Sequence, residues 1–183
     1  VIEEERRPAD SYPSFWSYGT GRQSSDGVVS CVSKSAEVGS NYDGAGVGFV
    51  VDLTTEWNLY VEANLHGLAH SFAAGFYGYA NAEPMFHVAI VGLDPSTREL
   101  TDFWEVGVNL RAVAPVFGWV ELPTRAGQLI SATPNGSLSR MRRDPGRVFV
   151  GAGVKTYAGT GGFIASANAG FRASVDLVRV VAR

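Results

Sequence analysis

The stretch FIASANAGFRASVDLVRVV, residues 163–181, places Phe163, Ala165, Ala167, Ala169, Phe171, Ala173, Val175, Leu177, Arg179 and Val181 on one parity. Ser166, Asn168, Arg172, Ser174 and Asp176 fall on the other. Side chains alternate between faces along a strand, so this split predicts a strand with one face in a core. A run of that length at about 3.3 Å per residue would reach about 60 Å, which predicts a bend or bulge near Gly170.

The same alternation extends outward from this stretch. Ala45, Val47, Phe49, Val51 and Leu53 share one parity, as do Trp57, Leu59, Val61, Ala63 and Leu65. Phe86, Val88 and Ile90 lead through the turn-forming Asp94-Pro95-Ser96-Thr97 to Trp104, Val106, Val108, Leu110 and Ala112, which predicts an antiparallel hairpin. Shorter strands are expected at 28–35, at 116–122 before Pro123, and at 147–157. Residues 125–147, with Pro134, Asn135-Gly136 and Asp144-Pro145-Gly146, read mainly as loop with a short strand at 129–132. Within 58–74, Val61, Leu65, Leu68 and Phe72 also fit helical spacing. Gly67 stands against a helix there, so strand is the reading and helix the alternative.

These elements predict an all-β chain: a two-sheet antiparallel β-sandwich of jelly-roll type with roughly eight strands. The alternative is a closed β-barrel carrying one helix at 58–74. Residues 28–183 form one domain, since 183 residues suffice for a single core and no linker divides them. Residues 1–27 form an N-terminal extended segment, in which Glu3, Glu4 and Glu5 adjoin Arg6 and Arg7 before Pro8 and Pro13. Its Phe15, Trp16 and Tyr18 either pack on the domain edge or anchor a neighbouring subunit. The opening at Val1, with no basic or apolar leader signature, points to a removed leader or a longer product. The tetrapeptide Gly44-Ala45-Gly46-Val47 recurs as Gly151-Ala152-Gly153-Val154, compatible with corresponding strands of two sheets approaching closely.

A net charge of −3 gives no drive toward nucleic acid, and no eighteen-residue apolar run predicts a membrane span. Cys31 is the single cysteine, so no intrachain disulfide forms; its valine neighbours suit a small buried hydrophobe. Asn135-Gly136-Ser137 fits the N-glycosylation pattern, which matters only in a eukaryotic secreted protein.

Candidate chemistry is sparse. Glu62, His66 and His70, four apart, would share one helix face and hold zinc or iron. On a strand each step spans about 13 Å, too far for one ion. No metal or other cofactor is therefore expected. No serine lies in Gly-x-Ser-x-Gly, and Gly44-x-Gly46-x-Gly48 lacks the spacing of a phosphate cradle. Arg140, Arg142 and Arg143 form a basic cluster suited to solvent or to an acidic partner.

With no catalytic constellation, charged residues at 18% and a detached aromatic segment, the expected function is a non-catalytic structural or assembly module. Examples are a subunit of an extracellular filament, surface layer or virion, whose partners are copies of itself. The alternative is a carbohydrate-binding module, in which Tyr60, Tyr77, Tyr79 or Trp119 stacks on a glycan. A small metal-dependent barrel enzyme ranks below both.

Overall fold

The computed structural model describes residues 2–53, 59–93, 100–109, 112–114, 117–132 and 146–182, with 100–109, 112–114 and 117–132 described by backbone alone. Ten strands arise in chain order: β1 (Ile2–Arg6), β2 (Ser14–Tyr18), β3 (Arg22–Gln23), β4 (Val28–Ala36), β5 (Gly39–Leu53), β6 (Leu59–Leu93), β7 (Leu100–Asn109), β8 (Ala112–Ala114), β9 (Phe117–Ala132) and β10 (Gly146–Ala182). A 3-10 turn, Pro8–Asp10, is the one helical element among the described residues.

β6 and β10, of 35 and 37 residues, pair antiparallel from Arg147↔Leu93 to Ala182↔Leu59. Laid straight, each would be about 120 Å long. Chain connectivity forbids that. Leu53 pairs with Gly146 at one end of β10, whereas Leu59 pairs with Ala182 at the other. The chain from Leu53 to Leu59 spans at most about 20 Å, so the two ends of the ladder must meet. The ladder is therefore folded double, and its two arms form two facing layers.

One layer is ordered β5, β10 (146–160), β6 (79–93), then β7 and β8; the other is ordered β4, β10 (164–182), β6 (59–76), β9. With the eight arms numbered along the chain, the layers read second–seventh–fourth–fifth and first–eighth–third–sixth. That interleaving is a jelly roll. No ladder among the described residues joins the β4 and β5 edges to β7 and β9, so the barrel alternative fails. Residues 59–74 lie within β6, which removes the helix alternative.

The reversal sits at Gly161 and Gly162, where Gly162 adopts φ +132°. On the neighbouring side, β10 residues 161–165 face only Glu37 and Val38, and the Glu37 amide donates to the Ala165 carbonyl. The bend expected near Gly170 is thus displaced, since Gly170 pairs regularly with Val32 and His70. A separate bulge falls between Val175 and Leu177, leaving Asp176 as the extra residue. It inverts the parity read from the sequence: Val178 and Val180 are fully buried, and Arg179 turns outward to Glu3.

Side chains from both layers fill the core, and the rings of Phe86 and Phe171 meet across it at 4.7 Å. Beside the bend the layers converge, and the buried cluster there consists of Ala73, Ala80, Ala82, Ala158, Ala165, Ala167 and Ala169. Among the described residues the hydrophobic side chains of that cluster are all alanines, with Thr160 buried beside them opposite Ala80.

Two further sequence readings change. β9 runs without interruption through Pro123 to Ala132, so 125–132 is strand and not loop. An edge position explains this, because β9 pairs only with β6 among the described residues and Pro there breaks no second ladder. The two Gly-Ala-Gly-Val stretches are antiparallel neighbours within one layer, with Gly46 opposite Gly153.

Segment 1–27 lies on the domain's own edges. β1 pairs with β10, β2 with β5 and β3 with β4. Tyr12, 3% exposed, donates its hydroxyl to the Val175 carbonyl at 2.9 Å, and burial pushes its pKa up.

The alanine wedge yields the first prediction. Ala167→Leu should lower stability by about 1–3 kcal/mol through overpacking, measured as a reduced urea midpoint with unchanged slope. An unchanged midpoint would show that the layers can separate at the bend.

Candidate functional site

Cross-strand partners present their side chains to the same face, so the ladders assign the outer surface of the β5–β10–β6 layer. Tyr18, Gly44, Lys155 and Met85 form one row across four strands. Trp16, Gly46 and Gly153 form the next, and Tyr42, Tyr157 and Glu83 another. Asn81 follows beside Gly159.

Glycine shapes this surface. A Cβ at Gly46 would run into the Trp16 indole, and one at Gly44 would come within 2.7 Å of the Tyr18 ring. The two rings therefore lie directly on the β5 backbone, stacked at 5.9 Å with planes 16° apart. Trp16 also packs against Ala89, Val91 and Phe149. A Cβ at Gly159 would likewise meet the Tyr157 ring at 2.6 Å. Tyr157 and Tyr42 sit 4.5 Å apart, and Tyr42 is 55% exposed. Beside them the Asn81 amide donates to Glu83 at 2.9 Å. Tyr42 lies two residues along β5 from the glycine under Tyr18, a rise of roughly 7 Å. Aromatic surface thus continues from Trp16 to Tyr157, flanked by an amide, a carboxylate and the Lys155 ammonium.

Trp16 and Tyr18 are the sequence candidates that the structure places here. Phe15 has the opposite parity, beside Val47, and is 66% exposed at the edge. Arg140, Arg142 and Arg143 lie outside the described residues. Tyr60 belongs to the other layer, opposite Val181, and the side chains of Tyr77, Tyr79 and Trp119 are outside the description. Tyr42, Tyr157, Asn81, Glu83 and Lys155 were not foreseen. The repeated Gly-Ala-Gly-Val phrase marked the floor beneath the rings, but only pairing shows what lies on it.

Glu62, His66 and His70 occupy one outer face of the other layer at strand spacing, about 13 Å per step, which rules out a common metal ion. Among the described residues no cluster of three or more His, Cys, Asp or Glu side chains is arranged to hold one. His66 Nδ1 instead pairs with Asp176 on the bulge. Ser174 lies nearby, but its hydroxyl donates to Asp176 at 3.3 Å. Serine and histidine both address the carboxylate, so this trio lacks the nucleophile–base contact of a catalytic triad.

Between the layers lies a buried polar spot. Ser33 donates to Asp43 at 2.5 Å, and the Thr156 hydroxyl lies 2.8 Å from Ser33 Oγ and 3.4 Å from Cys31 Sγ. Burial pushes the Cys31 thiol up to about 11, with the Thr156 contact opposing, so it is no nucleophile near neutrality.

No protein-family model matches the chain, and no curated protein matches its sequence. Among solved structures, the chain is similar to a family 11 carbohydrate-binding module from Clostridium thermocellum, in complex with a β-1,3-1,4-mixed-linked tetrasaccharide. Identity is 12%, TM-score 0.29, and coverage 98% of this chain and 95% of that one. It is also similar to a chain of the T13 IBDV viral particle, at 10% identity and TM-score 0.19, covering 86% of this chain and 40% of that one. Likeness of this degree transfers neither a ligand nor an assembly. Among the described residues no helix is long and apolar enough to cross a membrane.

Cys31 gives a pH prediction. An unfolded thiol ionises near its ordinary 9.0, while the folded one holds its proton to about 11. Between those values the native state binds more protons, so stability falls as pH rises through the window. Urea unfolding of the wild type and Cys31→Ala should diverge there and run parallel below pH 8. Parallel curves throughout would contradict a buried thiol.

Proposed function

We propose that the chain is a non-catalytic glycan-binding module, using the outer face of the β5–β10–β6 layer. The observation that carries this reading is the aromatic row from Trp16 and Tyr18 to Tyr42 and Tyr157, with Asn81, Glu83 and Lys155 beside it. A sugar ring has an apolar face of axial C–H groups and an equatorial rim of hydroxyls. Exposed ring faces meet the first, and an amide, a carboxylate and an ammonium meet the second.

The row is open and elongated, which suits a linear chain of sugar units lying along β5 more than an enclosed small molecule. Glu83 is the one carboxylate beside the aromatic rings among the described side chains, and Asp52, ten residues along β5 from Tyr42 on the same face, is paired with Arg147, which favours binding over the paired-carboxylate chemistry of glycoside hydrolysis. Such a module would act outside the cell or at a cell surface.

One observation favours the assembly reading as a second. Val38 and Ile164, 79% and 65% exposed, flank the bend where Glu37 bonds to Ala165, and they form an apolar rim open to another subunit. Anchoring of a neighbouring subunit by residues 1–27 is less favoured, because β1, β2 and β3 already pair with their own domain.

Affinity electrophoresis and calorimetry against soluble neutral polysaccharides of the cellulosic, xylan, mannan and starch types test the glycan reading. At least one should bind, and Tyr42→Ala should weaken it about tenfold, equivalent to about 1.4 kcal/mol. Tyr60→Ala, on the other layer, should leave it unchanged. No retardation in any of these polysaccharides would remove the reading. Concentration-dependent assembly in light scattering, abolished by Ile164→Ser, would replace it with the second.

A further inference from the structure

We infer that Asp43 is a positioning residue for the aromatic face, acting through Thr20 to hold the Trp16–Tyr18 wall on β5; this rests on the glycan reading. Asp43 is 1% exposed, and its carboxylate accepts the Thr20 amide at 2.6 Å, the Ser33 hydroxyl at 2.5 Å and the Asn41 amide at 2.9 Å. Two of those donors come from strands of the sandwich. The third comes from the turn that immediately follows Tyr18.

That turn, Gly19-Thr20-Gly21, is fastened to both layers at once. Its Thr20 amide reaches β5 through Asp43, while its Thr20 hydroxyl donates to the Val32 carbonyl at 2.7 Å and accepts the Val32 amide at 2.8 Å. The hydroxyl therefore takes the place of a backbone partner on the edge of β4. Glycine is required on both sides of it. Gly19 has φ +60°, and a Cβ there would run into the Asp43 carboxylate; a Cβ at Gly21 would run into the Gly44 carbonyl. The turn thus lies flat against the two residues of β5, Asp43 and Gly44, that adjoin the Tyr18 ring.

β2 itself is a five-residue edge strand with one ladder, to β5. A short edge strand with free ends frays, and its rings move with it. A charge-assisted bond donated by the Thr20 amide, two places after Tyr18, to the buried Asp43 carboxylate fixes the end nearest the rings. The wall is then pre-formed before ligand arrives, which lowers the ordering cost of binding.

Three variants separate positioning from general stability. Asp43→Ala removes all three bonds. Asp43→Asn keeps an oxygen for the Thr20 amide, and Ser33→Ala breaks the same buried node without touching the turn. Two readouts are used: the indole N–H resonance of Trp16 in the ligand-free protein, and affinity for the polysaccharide that the wild type binds. D43A should shift the resonance and weaken binding roughly tenfold, and D43N should stay within about threefold of wild type. S33A should lower the melting temperature with the resonance and affinity unchanged.

Equal loss of affinity in S33A and D43A, in step with melting temperature, would overturn the inference, as would a D43A resonance identical to wild type. If D43A does not fold, Gly21→Ala displaces the same turn while leaving the buried carboxylate intact, and the same two outcomes decide. A wild type that binds no polysaccharide defeats the glycan reading, while the Trp16 resonance still reports whether Asp43 holds the wall.

Discussion

A ladder of more than thirty residues per strand has to reverse on itself when the chain at its two ends is joined by residues 54–58. That constraint governs the rest of the molecule. Reversal requires a position where the backbone can leave the usual strand region, which Gly162 supplies beside Gly161. It also brings two layers together beside the bend, where small side chains fill the core. Alanine occupies the narrow end, and valine, leucine and phenylalanine fill the wide end around the Phe86–Phe171 contact. Because hydrogen bonding continues around the bend, the jelly roll needs no separate interface to register one sheet on the other.

Folding double leaves β4 and β5 at the open side of the sandwich, and exposed edges invite pairing with other chains. The N-terminal segment occupies those edges. β1 continues along the side of β10 that β4 vacates, with Arg179 bridging to Glu3, while β2 covers β5 and β3 covers part of β4. The crossing between layers is a three-residue turn in which one threonine satisfies groups on both. A segment that looks detached by composition is thereby part of the fold. Its aromatics are held where a glycine row lets them lie flat.

Period-two alternation made the strands and the sandwich legible, and the hairpin read from Phe86 and Val88 pairs as expected with Val108 and Val106. Alternation carries no information about where one strand turns a corner. The length of the run implies a bend or bulge near Gly170, yet that glycine lies in regular ladder; the bulge falls at Asp176 and the turning point at the glycine pair before the run begins. Likewise a bulge changes parity without a marker of its own, so alternation puts Arg179 inward, whereas the ladder makes Asp176 the extra residue and turns Arg179 outward. The face was less legible still. Tyr42 and Tyr157 are 115 residues apart in sequence and meet only because β5 pairs with β10.

The two outer faces of the sandwich carry different chemistry, and their edge strands explain how. On the layer of β4 and the later arm of β10, ordinary side chains line the rows, and β1 adds acidic residues; the Arg179–Glu3 ion pair and the His66–Asp176 contact lie there. On the other layer the rows are interrupted by Gly44, Gly46, Gly151, Gly153 and Gly159, which present no side chain that could compete for a ring face. Glycine in a strand costs stability, and a sheet that tolerates it in adjacent strands needs compensation. Trp16 and Tyr18 supply part of it by covering the bare backbone, so the fold recovers buried apolar area from the same contact that sets the rings in place. Removing the rings would then expose the bare backbone at Gly44 and Gly46. The aromatic surface and the sheet beneath it meet through one short edge strand, whose end beside Tyr18 leads into the turn that bonds to Asp43 and Val32.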